Sequence, residues 1–168
     1  MAADIAPGLL RSFFGFLRWR GHDSDLWQTL CREAQERREE GLTRLPPIRG
    51  YDVAPRAIQI AWANAERAGL GGADQGPGTR FLVGDGLDEC AAGSLDLVLC
   101  NPPFHQGRTE GDHVAWEMFR QARRALRPGG RLLVVGNRHL GYHWKLQRLF
   151  DRCETVASDR RFVVLAAE

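Results

Sequence analysis

The chain has 168 residues, of which 43% are hydrophobic and 26% are charged, and its formal net charge at pH 7 is +2. These values predict one globular domain with a sizeable core, and the small net charge does not by itself indicate a nucleic-acid-binding protein. No apolar run reaches about 18 residues, so no membrane span is expected. An intracellular, cytoplasmic protein with reduced thiols and no bound metal is predicted, because four cysteines occur without the spacing of a metal site: Cys31, Cys90, Cys100 and Cys153.

The first 22 residues are dense in large apolar side chains: Leu9, Leu10, Phe13, Phe14, Phe16, Leu17 and Trp19. This density predicts a segment that covers a hydrophobic core. A helix is then expected to begin at Asp23 or Ser24, since both are good N-cap residues. Gly41 is a natural helix stop, and the helix is expected to end there.

A strand is predicted over Ile48–Val53, and a helix is predicted to begin near Pro55. Asp52 stands near the end of this strand. An acidic residue in that place in a nucleotide-binding βα unit commonly accepts hydrogen bonds from ribose hydroxyls, so Asp52 is a candidate cofactor ligand. Asp52 can also act as the N-cap of the following helix, and the two roles are compatible.

Glycine, proline and polar residues over 71–80 predict a loop. A strand over 80–83 follows and leads into Gly84, Asp85 and Gly86. Two interpretations of Asp85 have equal weight. Its carboxylate accepts from the adenine amine of a nucleotide cofactor, or Asp85 only forms a tight turn.

The most informative stretch is a short apolar strand, Leu97–Cys100, that stops at Asn101 and continues as Pro102, Pro103 and Phe104. The prolines cannot donate to a strand ladder and hold the backbone extended. Ligands of open α/β sheets bind at the carboxyl ends of strands. There, the Asn101 amide oxygen and the Pro102 carbonyl can accept both hydrogens of a planar exocyclic amine, while Phe104 can stack on a flat base. Asn-Pro alone is common in turns, and a simple strand-end turn is the competing interpretation.

A helix is predicted from near Asp112, with one apolar face formed by Ala115, Phe119, Ala122 and Leu126. A turn over 126–130 leads into a strand over 131–135, and Asn137 and Arg138 occupy the carboxyl end of that strand. A short helix carrying Trp144, Leu146, Leu149 and Phe150 follows. Two strands, over 154–157 and 162–166, complete the predicted pattern.

The Asn-Pro-Pro-aromatic motif at 101–104 resembles that of S-adenosylmethionine-dependent amino-methyltransferases. The longer string Asn-Pro-Pro-Phe-His-Gln at 101–106, together with Asn-Arg-His-Leu at 137–140, is similar to one branch of the ribosomal RNA guanine-N2 methyltransferases. Residues 3–70, with Asp-Ile-Ala-Pro-Gly at 4–8, are similar to a large-subunit branch of the same enzymes. The order of elements resembles the class I methyltransferase fold, an α/β, Rossmann-like sheet that is mostly parallel with an antiparallel terminal strand.

The resemblance implies a function and a set of residue roles. The function is transfer of a methyl group from S-adenosylmethionine to the N2 amine of guanine in ribosomal RNA. Asn101, Pro102, Pro103 and Phe104 would form the catalytic motif, with Asn101 also at the cofactor. The remaining roles are cofactor binding by Asp52 and Asp85, and RNA binding by Phe104, His105, Asn137 and Arg138, with His105 able to take the proton released by the amine.

One part of the family pattern is absent, because no Gly-rich loop precedes Asp52. In these families a first strand and a Gly-rich loop let the cofactor lie close to the backbone. We therefore expect residues 1–168 to be a single, N-terminally incomplete domain without its first, central strand, completed by an upstream segment or a partner chain. Either the strands over 48–53 and 97–100, each expected to be apolar on both faces, pair directly, or Leu9–Trp19 covers the gap.

Two rival interpretations remain. The chain can be a degenerate methyltransferase domain that binds RNA or a partner without catalysis. Alternatively, the chemistry is the same and the acceptor is another planar amine: adenine N6, cytosine N4 or a glutamine amide. The motif at 101–104 alone does not separate these acceptors.

Overall fold

The structure is a computed structural model that describes residues 3–71, 78–103 and 108–168, and for residues 108–112 it describes the backbone only. The chain divides into two compact units, Met1–Val83 and Gly84–Glu168, and each is described by itself. No helix in these described ranges combines the length and the apolar character needed to cross a membrane.

The first unit begins with two short 3-10 helices, Pro7–Leu10 and Gly15–Arg18, followed by helix α1, Ser24–Thr43. Asp23 is the N-cap of α1, as predicted, and its Oδ1 accepts from the Leu26 N–H at 2.9 Å. The rings of Phe14 and Phe16 pack edge-on against Trp27 of α1, with centroids 5.2 and 5.0 Å away. The apolar N-terminal segment therefore packs on α1. Its predicted role of covering a gap in the sheet stays a prediction.

Gly41 does not end α1, contrary to the prediction, because the helix continues to Thr43. Gly41 is buried, and the backbone of Ala3 lies where a Cβ atom at position 41 would be. The glycine is thus explained by a close approach of backbone to helix and not by a left-handed helix end.

The sheet of the first unit has two parallel strands, β1 (Ile48–Asp52) and β2 (Thr79–Val83), connected through helix α2 (Pro55–Arg67). Trp62 of α2 packs edge-on against Phe81, and its Nε1–H donates to the Phe81 carbonyl at 3.2 Å. The register pairs Asp52 with Val83, so both strands end at the same edge. Strand β1 ends at Asp52, one residue before the predicted end.

The second unit contains β3 (Leu95–Cys100), α3 (Arg108–Ala125), β4 (Leu126–Asn137), a 3-10 helix (Arg138–Leu140), α4 (Tyr142–Leu146), β5 (Cys153–Ser158) and β6 (Phe162–Ala167). The strand order is β3-β4-β6-β5. Strands β3 and β4 are parallel, whereas β6 is antiparallel to both β4 and β5. The parallel strands with antiparallel strands at one end agree with the predicted α/β class.

The core of the second unit lies between α3, α4 and one face of the sheet. The apolar face predicted for α3 is confirmed for Ala115, Phe119 and Ala122, which are buried, whereas Leu126, also buried, is the first residue of β4. Two predicted boundaries were wrong. Helix α3 begins at Arg108, and β4 begins at Leu126, where a turn was expected. Four residues of β4 form an irregularity between the pairs Leu95–Leu126 and Leu97–Arg131, with Gly129 at φ +74°.

Strand β3 differs most from expectation. The described strands form two sheets, β1-β2 and β3-β4-β6-β5, so direct pairing of β1 with β3, one of the two alternatives expected, is not among their pairings. Strand β3 is apolar on both faces, as expected, but only one face is buried, since Leu97 and Leu99 are 51% and 73% exposed while Val98 is 9% exposed. The reason is that the core around α3 includes Val98 and leaves the opposite face of β3 open.

Candidate functional site

The carboxyl ends of β3 and β4 form one edge of the second unit's sheet. Cys100, the last residue of β3, pairs with Val134, and β4 continues beyond that pair to Asn137. Asn101 and Asn137 therefore both leave the sheet at this edge. In open α/β sheets this is the edge at which ligands bind.

Asn101 is exposed, whereas the next residue, Pro102, is fully buried. The buried pyrrolidine ring fixes the backbone directly beside the Asn101 side chain and so limits its freedom. No hydrogen bond to the Asn101 amide is found within the described part of the chain, so its oxygen and its NH2 group can face a ligand. Cys100 directly precedes Asn101 in the chain. Burial raises the pKa of its thiol to about 12, so Cys100 offers no thiolate nucleophile near neutral pH.

Phe104 and His105 lie outside the described residues. Their predicted roles in base stacking and proton transfer therefore stay predictions. Pro103, the last described residue before them, is exposed.

Asp85 is exposed and lies in a bend two residues beyond the end of β2, at the start of the second unit. The loop that follows it is held by α3. The Leu87 N–H donates to Gln121 Oε1 at 2.8 Å, and Arg124 Nη2 donates to the carbonyls of Leu87 and Asp88 at 2.7 and 2.8 Å. Asp85 is exposed and is followed by a turn over 86–89, and its predicted contact with the adenine amine stays a prediction.

The roles of Gln121 and Arg124 were missed by the reasoning from sequence. Gln121 is 5% exposed and occupies the space beside Gly86, which has φ +64° and where a Cβ atom would collide with Gln121 Oε1. A polar residue beside the apolar face of α3, together with a glycine next to Asp85, was the available signal. The contact spans 34 residues of sequence, so no local pattern indicated it.

Asp52 is exposed at the carboxyl end of β1, in the first unit. Its Oδ1 accepts from the Ala54 N–H at 2.8 Å. The predicted N-cap role was wrong, because Ala54 is itself the N-cap of α2 and Asp52 bonds to that residue's own N–H. Asp52 belongs to one unit and the other site residues to the second.

Asn137 is half-buried as the last residue of β4, and Arg138 is exposed directly after it. The Arg138 N–H donates to the Arg161 carbonyl at 3.0 Å, and Nη1 donates to the Asp159 carbonyl at 3.1 Å. Hydrogen bonds from the Phe162 and Arg161 N–H groups hold the pKa of Asp159 below its ordinary value. The Arg138 guanidinium is thus held at the ligand edge and remains exposed.

The second unit has an exposed residue, Asn101, directly after β3 and the exposed Asp85 near its start, and the first unit has the exposed Asp52 at the end of β1. The described residues contain no His, Cys, Asp and Glu cluster able to hold a metal ion. The mixed sheet of the second unit, with polar side chains at the carboxyl ends of β3 and β4, is of the open α/β type, the class of fold in which ligands bind at that edge.

The family is shown by sequence. The family model described as "Methyltransferase small domain" matches residues 42–166, and the chain belongs to this family. The match covers β1 to most of β6 and includes Asp52, Asp85, Asn101 and Arg138. It confirms the predicted methyltransferase resemblance.

Several curated relatives share the name ribosomal RNA large subunit methyltransferase G. The protein from Shewanella amazonensis is 67% identical over 123 residues, which cover 73% of this chain and 32% of the relative. The protein from Ectopseudomonas mendocina is 67% identical over 116 residues, and that from Pseudomonas aeruginosa PAO1 is 57% identical over 116 residues. Each of these two matches covers 69% of this chain and 30% of the relative. The chain thus spans about a third of the length of the curated relatives it matches.

Solved structures of low sequence identity share the fold. The protein SMU.472, a proposed methyltransferase solved with SAH, superposes with a TM-score of 0.68 at 21% identity, covering 97% of this chain and 41% of that one. A methylase candidate from Clostridium difficile 630 gives a TM-score of 0.65 at 19% identity, covering 98% and 42%. These likenesses confirm the predicted Rossmann-like fold.

Proposed function

We propose that the chain is part of an S-adenosylmethionine-dependent N-methyltransferase that modifies the exocyclic N2 amine of guanine in ribosomal RNA. The observation that carries this proposal is the exposed Asn101 beside the buried Pro102 at the carboxyl end of β3. The family match and the names of the relatives support the reaction class and the RNA substrate. A cytoplasmic location follows from the proposed substrate.

Two carboxylates suit the nucleoside part of the cofactor. Asp52 keeps one carboxylate oxygen without a partner in the described ranges, and this oxygen can accept from the ribose hydroxyls. Asp85 is exposed on a loop that Gln121 and Arg124 hold in place, and it can accept from the adenine amine. The cofactor supplies an activated methyl group when bound, and the task of the protein is to position the acceptor in line with it.

The acceptor amine is oriented by the strand end. The Asn101 amide oxygen and the Pro102 carbonyl accept the two amine hydrogens, which turns the nitrogen lone pair out of the base plane. Phe104 stacks on the guanine, and Pro103 keeps the backbone between them extended. The amine loses one proton as the new bond to carbon forms, and His105 can accept this proton.

The RNA is held next to this edge. Asn137 and the exposed Arg138 follow β4, where a guanidinium suits a phosphate oxygen. A guanine in a duplex must first leave the base stack, which costs a few kcal/mol. A single-stranded or loop guanine is therefore the expected substrate.

The replacement Asn101→Ala tests this proposal in a form of the protein that transfers methyl groups. Labelled methyl transfer to ribosomal RNA should fall by at least about 100-fold, the cost of losing one preorganised hydrogen-bonding group in a transition state. The fold should be retained, because Asn101 is exposed and outside the core. Asn64→Ala, at an exposed position of α2, is the matched control and should leave turnover unchanged. Equal turnover in the Asn101→Ala protein would remove the assignment.

We further propose that an apolar strand from an upstream segment or a partner chain completes the sheet along β3. The support is that β3 is an edge strand whose Leu97 and Leu99 are exposed. Covering each leucine would contribute roughly 1.5–3 kcal/mol. The 168-residue chain alone should therefore be marginally stable and bind S-adenosylmethionine poorly. Binding by calorimetry near the micromolar range together with a thermal midpoint above about 65 °C would contradict this second proposal.

A non-catalytic role is the alternative, and the open β3 edge favours it equally. The two roles separate in one experiment, in which the 168-residue chain is mixed with a longer form that includes the completing strand. Methyl transfer by the longer form supports the enzyme. RNA binding without cofactor binding in both forms supports a degenerate domain.

A further inference from the structure

Helix α4 is anchored to the core by one side and exposes a tryptophan on the other. Tyr142 and Leu146 are 3% and 0% exposed, and the Tyr142 ring packs edge-on against Phe119 with centroids 5.3 Å apart. Gly136 makes this packing possible, since a Cβ atom there would collide with the Tyr142 ring. Between these anchors Trp144 is 65% exposed. Trp144 therefore makes little contribution to the core.

The segment around Trp144 is positively charged. Residues 137–150 contain no aspartate or glutamate and carry five basic or histidine side chains: Arg138, His139, His143, Lys145 and Arg148. The Trp144 ring lies on the His143 ring, with centroids 4.6 Å apart and an interplanar angle of 43°. Arg148 is exposed shortly beyond α4. With its histidines neutral the segment has a formal charge of +3, from Arg138, Lys145 and Arg148, whereas the whole chain has a net charge of only +2.

We propose that Trp144 is a stacking platform for a base of single-stranded RNA next to the acceptor guanine, with Arg148 at a phosphate of the same strand. An exposed aromatic ring beside cations is the arrangement that binds single-stranded nucleic acid, because every base has a stacking face and every nucleotide a charge. This inference rests on the proposed function, since it takes the substrate to be RNA.

The position of the platform fits this role. Trp144 follows Asn137, the last residue of β4, by seven residues, so the two lie within at most about 25 Å of each other along the chain. Both belong to the unit that holds Asn101. A single strand whose acceptor base is held at Asn101 can therefore place a flanking base on Trp144.

Fluorescence anisotropy with a labelled single-stranded RNA of about 12 nucleotides, and with the duplex of the same sequence, tests the platform. Trp144→Ala should weaken single-strand binding by about 5- to 150-fold, the effect of losing one base–aromatic stack. Trp144→Phe should recover most of the affinity. The matched control is Trp19→Ala, a tryptophan 73% exposed in the first unit, which should bind like the unchanged protein. Equal binding by the Trp144→Ala protein, or tighter binding of the duplex than of the single strand, would overturn the inference.

Arg148→Gln gives a second readout. The slope of log affinity against log salt is negative, and this replacement should make it less negative by about 0.7, the value for one phosphate contact on a single strand. An unchanged slope would overturn the phosphate contact. Methyl transfer measured on the same proteins separates the two proposals. Weaker binding by the Trp144→Ala protein, without any transfer by the longer form that includes the completing strand, supports the platform and contradicts the methyltransferase. Methyl transfer by the longer form, together with equal RNA binding by the unchanged and Trp144→Ala proteins, supports the methyltransferase and contradicts the platform.

Discussion

The loop that carries Asp85 should depend on a single buried amide. Gln121 Oε1 accepts from the Leu87 N–H at 2.8 Å, and Gln121 is 5% exposed. Replacement by methionine keeps the volume and removes the acceptor, so the Leu87 N–H loses its partner. A buried donor left without an acceptor costs about 1–3 kcal/mol. For a chain of this size, that corresponds to a fall in thermal midpoint of roughly 2–12 °C.

Two measurements follow the effect. Hydrogen exchange at the Leu87 amide reports the local opening, and its protection should fall by about 5- to 150-fold, the equivalent of the same free energy. Calorimetric titration of S-adenosylmethionine into a form that binds it should show weaker binding, because Asp85 is no longer held. Arg124 still binds the Leu87 and Asp88 carbonyls, so the affinity should fall without being lost.

The control is Gln59→Met, the same change at an exposed position of α2, which should alter the unfolding free energy by less than about 0.5 kcal/mol. The reasoning is refuted if Gln121→Met leaves both the protection of the Leu87 amide and the thermal midpoint unchanged. The reasoning is also refuted if the Leu87 amide loses protection in the Gln121→Met protein but the affinity of that protein for S-adenosylmethionine stays the same, because Asp85 would then have no part in binding.

Three further predictions concern single residues. Phe104→Ala should weaken acceptor binding by about 1–3 kcal/mol with little change in cofactor affinity, as measured by paired titrations, and unfolding of this variant would identify Phe104 as a core residue. Gly136→Ala should lower the unfolding free energy by about 1–3 kcal/mol, because the new Cβ atom would overlap the ring of Tyr142. Gly15→Ala, whose Cβ atom would meet nothing within 4 Å, is the control and should be nearly neutral. Similar melting curves for both variants would contradict the packing. At pH 8, iodoacetamide should alkylate Cys100 more slowly than it alkylates glutathione. Burial raises the pKa of the Cys100 thiol to about 12, so the reactive thiolate is scarce until the pH approaches that value. Alkylation of Cys100 as fast as that of glutathione would show that the thiol is not buried.

The sequence was sufficient where the signal is local. Asp23 begins α1, and the apolar residues of α3 are buried, since both depend only on residues a turn apart. The position of Asn101 at a strand end followed from the apolar run before it and the prolines after it. The order of strands and helices also followed from hydrophobic periodicity.

Other features depend on contacts between distant residues and could not be read from a pattern. The exposure of Leu99 is decided by which elements pack on β3, and an apolar run looks the same whether one face or both are covered. Gly41 looked like a helix end because its packing partner, Ala3, is 38 residues away in the chain. The exposure of Trp144 could not be predicted, because a helix of five residues is too short to define an apolar face.

The identity of the methylated atom tests the central claim most directly. The protein in its longest available form is incubated with ribosomal RNA and isotopically labelled S-adenosylmethionine, and the RNA is digested to nucleosides that are separated and identified by mass spectrometry. We expect the label in N2-methylguanosine, and we expect it to disappear with Asn101→Ala and to persist with Asn64→Ala. Label in N6-methyladenosine, in N4-methylcytidine or in protein glutamine, or the same N2-methylguanosine yield from the Asn101→Ala protein, would contradict the account.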